Sequence, residues 1–166
     1  MLISFLIRLN KFLQKIINYL VILLFTIIVI VVNLQIFFRY VLRQPLFWSM
    51  EVAQLAFIYL AIFGGGLALI NNEFTKVEFF VNLISKSVRK ILEILGHILI
   101  LIFLIIAGYK SEELIYQAKI TVNVTPALVI PMDYIYRILQ IGFYIFAFFA
   151  ITKVLILIFE KKIKGA

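Results

Sequence analysis

Few residues in this chain could carry chemistry, and they stand isolated among long apolar runs. Glu51 heads the second of those runs. A carboxylate there could exchange protons in a small exporter, or pair with Arg39 or Arg43; its place at the interface rather than the bilayer centre favours pairing or a subunit contact. His97 follows Glu93 by one helical turn, so the two share a face, and a packing role is expected of it. A haem held by two histidines is excluded because the chain has one. Without cysteine there is no disulfide, thiolate metal site or iron–sulfur cluster. The run Gly64-Gly65-Gly66 lies inside an apolar helix and follows no strand, so it is not a phosphate-binding loop. No catalytic triad is present, and Asn123-Val124-Thr125 matches the glycosylation pattern only as a common chance triplet. The expectation is a non-enzyme with no catalytic, cofactor or metal site. Asn33 and Gln35 sit inside the first run, where side-chain amides usually bond a neighbouring helix.

The elements that position these groups are long apolar helices. Hydrophobic residues make up 65% of the 166 residues and charged residues 14%, with a mean hydropathy of +1.16. Four apolar stretches, 16–38, 52–72, 91–109 and 132–159, approach the roughly 20 residues needed to cross about 30 Å of hydrocarbon. The expected fold is all-α integral membrane, one membrane domain over residues 1–166. The first stretch is read as a retained span rather than a cleaved leader, being long and lacking a small-residue cleavage site.

A formal charge of +8 does not signify nucleic acid, because the basic residues lie between spans and not on one soluble face. Eleven lysines and arginines fall on the side holding the termini and the middle loop, against five on the other. The positive-inside rule then predicts cytoplasmic termini.

Between Leu2 and Ile16 apolar residues recur at helical spacing opposite Arg8, Lys11 and Lys15, which reads as an amphipathic interfacial helix or as an extension of the first span. A second such stripe runs from Phe74 to Lys90 and is read as a middle-loop interfacial helix meeting lipid headgroups. On the outer side, Pro45 should end the first helix nearby, and Trp48 should lie at headgroup depth. Lys110 to Ile130 is the longest stretch outside the spans; Pro126 and Pro131 bracket its end, with Pro131 leading into the fourth span and Asp133 in its first turn. Ala61 with Gly65, and Gly64 with Ala68, form small-xxx-small pairs suited to close helix packing.

The run from Asn33 to Ala53, holding Arg39-Tyr40, Arg43, Pro45, Trp48 and Glu51 in order, resembles the first hairpin of the small permease subunit of tripartite ATP-independent periplasmic (TRAP) transporters. Phe74-Thr75-Lys76-Val77-Glu78 and Thr125-Pro126-Ala127-Leu128-Val129-Ile130-Pro131-Met132 resemble later segments of that family. Met50, Phe74 and Glu78 depart from its usual acids and histidine. The resemblance implies an inner-membrane subunit paired as a heterodimer with a large permease, served by a periplasmic binding protein that delivers an organic acid anion for sodium-coupled uptake. It implies a bracing role, with Arg39, Arg43, Trp48 and Glu51 ordering the outer edge. Two other readings remain open at this point: a proton-coupled four-helix multidrug exporter and a haem-free respiratory anchor.

Overall fold

The computed structural model describes residues 2–71 and 86–163. Four helices account for nearly all of them: α1 (Leu2–Tyr40), α2 (Phe47–Asn71), α3 (Lys86–Ile120) and α4 (Met132–Ile163). Each contains a segment long and apolar enough to cross a membrane.

One boundary falls to one of the two readings left open, and another differs from expectation. Leu2 to Ile16 is not a separate interfacial helix but the first part of α1, continuous over 39 residues. Neither glycine nor proline interrupts that stretch, so nothing breaks its hydrogen-bond ladder, and a helix of about 58 Å outruns the hydrocarbon layer. Likewise α3 does not end near Tyr109 but continues to Ile120. The Lys110–Glu113 ion pair at 3.3 Å and Ser111 Oγ donating to Ala107 O at 2.7 Å both close within the helix, and the next proline is Pro126. The middle-loop helix expected from Phe74 to Lys90 lies outside the described residues, except that Lys86 to Lys90 open α3.

The helices stand in the order α1, α2, α4, α3: α1 packs on α2, α2 on α4, and α4 on α3. About 33% of the apolar window is buried in α2 and in α4, against 6% in α1 and 11% in α3, so the middle pair forms the core and the outer pair faces lipid or another protein. The accessible surface of 11835 Å² for 19.3 kDa compares with roughly 8,500 Å² for a compact soluble protein of that mass. The four helices make a slab rather than a closed bundle.

Lipid tails are as apolar as leucine, so close packing rather than exclusion from water must hold such helices together. Ile17, Phe63, Leu67, Ile70 and Phe149 form one buried cluster, and Leu69, Leu104, Ala147 and Ala150 form a second. Glycines let the helices approach. A Cβ added at Gly66 would stand 3.1 Å from Phe149 Cδ2 and 3.6 Å from the Phe146 backbone, and one at Gly142 would stand 2.8 Å from Ile62 Cγ2. Gly65 likewise faces the Phe146 ring at 3.1 Å, whereas Gly64 has nothing within 4 Å and Ala61 is exposed. The small-residue stripe is therefore divided between an inner face, which also uses Gly66, and an outward one.

Polar ties cross the same interfaces. Tyr59 Oη donates to Ile135 O at 3.2 Å, joining α2 to α4. Gln140 Nε2 donates to Gly108 O at 3.2 Å and to Glu112 Oε2 at 2.8 Å, joining α4 to α3. Gln140→Leu is expected to lower stability by about 1 kcal/mol, read as a fall in the thermal midpoint of the purified protein. Asn33 does not bond a neighbouring helix as expected; its Nδ2 donates to Val29 O at 2.7 Å in its own, which satisfies the amide without a partner helix.

Candidate functional site

Of the polar residues at the α1–α2 end, Glu51 reaches the loop between α3 and α4. α3 closes with Asn123 N–H donating to Ala118 O at 3.2 Å, the Schellman pattern. It leaves Val122 at φ 49°, where glycine is usual. The chain then pairs with itself: Met132 N–H donates to Asn123 O at 2.9 Å and Thr125 N–H to Ile130 O at 2.9 Å, with a single bridge between Val124 and Pro131. Thr125 Oγ1 accepts the Ile130 amide at 3.1 Å, and Val129 turns the tip at φ 55°. Pro126 and Pro131 thus bracket a closed turn. Tyr134 N–H donates to Pro131 O at 3.2 Å, and Pro131 precedes α4, with Asp133 in the first turn.

Glu51 holds this turn. Its Oε2 accepts the Ala127 amide at 2.8 Å and the Leu128 amide at 3.2 Å. The Thr125 hydroxyl lies close enough to influence the same carboxylate, while Oε1 is buried and meets no hydrogen bond of full geometry. The carboxylate therefore links the head of α2 to a loop some 76 residues away. Its partners are backbone amides and not Arg39 or Arg43, because the paired turn aims adjacent N–H groups at one point, and such a nest suits an anion.

The other expected outer-edge residues sit nearby but apart from this link. Arg39 lies with its Cζ 5.7 Å from the ring of its neighbour Tyr40. Arg43 occupies the left-handed region at φ 54° where α1 gives way to α2, and Gln44 N–H donates back to Phe38 O at 3.1 Å. Trp48 is partly exposed, beside the more exposed Phe47 and Met50. Sequence reasoning missed Ser49, which is fully buried and whose Oγ donates to Leu46 O at 2.6 Å, fixing the first turn of α2. Its position four residues after Pro45 at a helix start was the available signal. Thr125 was quoted only within a longer segment and a chance triplet, with no role of its own.

Left-handed backbone costs a β-branched residue about 1–2 kcal/mol. Val122 is largely exposed and gives up little packing, so Val122→Gly is expected to stabilise the protein by up to about 1 kcal/mol after the entropy of glycine is counted, seen as a raised thermal midpoint.

Elsewhere, His97 Nδ1 meets the Glu93 backbone oxygen at 2.5 Å. Among the described residues no group of three metal-ligating side chains gathers. The arrangement binds an internal loop and offers no assembled nucleophile, acid–base pair or ligand set.

Fold and site together define a polytopic α-helical membrane protein in which a carboxylate on α2 ties down the loop between α3 and α4. Residues 28–160 match the family described as "Tripartite ATP-independent periplasmic transporters, DctQ component", and the chain belongs to that family, an inner-membrane component of a TRAP transporter. Over 56 residues it is 38% identical to the protein described as "Sialic acid TRAP transporter permease protein SiaT" of Haemophilus influenzae (strain 86-028NP). That stretch covers 34% of this chain and 9% of the relative, so the chain spans a small part of the relative's length.

Proposed function

We propose that this chain, as a single membrane domain with cytoplasmic termini, braces a large permease subunit during sodium-coupled uptake of an organic acid anion delivered by a periplasmic binding protein. One observation carries the reading: the Glu51 carboxylate, which a proton-driven carrier would need free, is occupied by loop amides. A slab with two broad apolar faces suits a fixed wall against which a second subunit moves.

On this reading α2 presents Ala61 and Gly64 outward to a partner helix, since neither is used internally. The tied loop, with Arg39, Arg43 and Trp48 beside it, forms the edge that meets the binding protein. The assembly is a heterodimer, and the chain has no catalytic role. The test is reconstitution in proteoliposomes. The chain alone should pass no organic acid under a sodium gradient, and uptake should require the large permease and the binding protein. Transport by the isolated chain would reject the bracing role.

A further inference from the structure

At the end of the slab that carries both termini, α1, α2 and α4 enclose a donor-rich cleft far from the outer loop. Two adjoining hollows of about 210 and 320 Å³ share Lys11, Gln14 and Asn71. Lys15 lines the second hollow. The first is floored by Asn10 and Thr152, both 3% exposed. Asn10 Oδ1 accepts from Gln14 Nε2 at 2.5 Å, which leaves Asn10 Nδ2 buried without a partner. A buried donor left unmade is costly, and here it lines a hollow. Among the described residues no acidic side chain lines either hollow. The partial negative charge at the α2 terminus is offset by Lys153, only 7% exposed, whose Nζ donates to Ile70 O at 3.1 Å.

From this cluster we propose that the cleft binds the phosphate group of an anionic phospholipid in the leaflet on the side of the termini. Amide and ammonium donors, with no competing carboxylate among the described lining residues, match a phosphodiester, and basic pockets between membrane helices take such head groups. Depth favours a lipid over free phosphate. With Arg39 at the outer boundary, Lys15 lies about 36 Å and Asn10 about 44 Å along α1, bracketing the head-group layer of a bilayer about 40–45 Å thick. Phe12, Ile16 and Tyr19 are exposed beside the cleft, where acyl chains would run.

Native mass spectrometry of the full-length chain, titrated with phosphatidylglycerol, phosphatidylcholine or inorganic phosphate, tests this. Phosphatidylglycerol should bind at least about tenfold more tightly than phosphatidylcholine, and inorganic phosphate should not displace it. The double variant Lys11→Gln/Lys15→Gln alters only exposed side chains and should lose that preference, as should Asn10→Asp. The control Lys110→Gln/Lys119→Gln, at the other end of α3, should keep it. Equal retention of the two lipids, an unchanged preference in the Lys11→Gln/Lys15→Gln variant, or full competition by inorganic phosphate would overturn the proposal.

Discussion

Gly66→Leu is expected to separate α2 from α4 and to destabilise the protein by about 3 kcal/mol or more. The Cβ alone would crowd the Phe149 ring at 3.1 Å and approach the Phe146 backbone at 3.6 Å; the remaining side-chain atoms have no room unless the helices part. Phe149 is fully buried and cannot swing into lipid without leaving a cavity. Because α2 and α4 are the middle of the slab, parting them also disconnects the α1–α2 pair from the α3–α4 pair. The measurement is unfolding in mild detergent beside Gly64→Leu, whose new side chain meets nothing within 4 Å. Gly64→Leu should leave the isolated chain as stable as the parent and, on the proposed bracing role, weaken only its recovery with the large permease. Equal stability of the Gly66→Leu and parent proteins would refute the packing described.

Glu51→Gln should loosen the outer loop while leaving the helices intact. The amide keeps the shape but carries no charge, and charge-assisted hydrogen bonds to amides are about twice as strong as neutral ones. Val122 and Val129 hold left-handed backbone, so the turn stores strain that the tie from α2 must oppose. Hydrogen exchange at the Ala127 and Leu128 amides is expected to quicken about tenfold, and further in Glu51→Ala, with helix protection unchanged. On the proposed bracing role, uptake by the reconstituted transporter should also fall. Unaltered exchange at those two amides would show that the link does not order the loop.

Much of the architecture was legible in the chain. Hydropathy alone located the helices, since a backbone in lipid has no choice but to satisfy its hydrogen bonds internally. Pro45 and Pro131 marked two ends because each lacks an amide hydrogen. The helix lengths were less legible: the absence of glycine and proline from residues 2 to 40 allowed α1 to run on, but amphipathic periodicity looks the same in a separate surface helix and in an extension.

By itself, the sequence determined that this protein spans a membrane by helices, that Glu51 lies at the head of the second span, and that small residues crowd α2. These are local properties, written in composition and spacing. Only the tertiary structure decided which glycines are inward, that Glu51 answers to Ala127 and Leu128 rather than to the nearby arginines, and that Asn10 keeps an unused donor beside a basic cleft. Each of those depends on how one helix is rotated against another. In lipid every face of an apolar helix reads alike, so that rotation is set by the fit of side chains across the interface and not by the pattern along the chain.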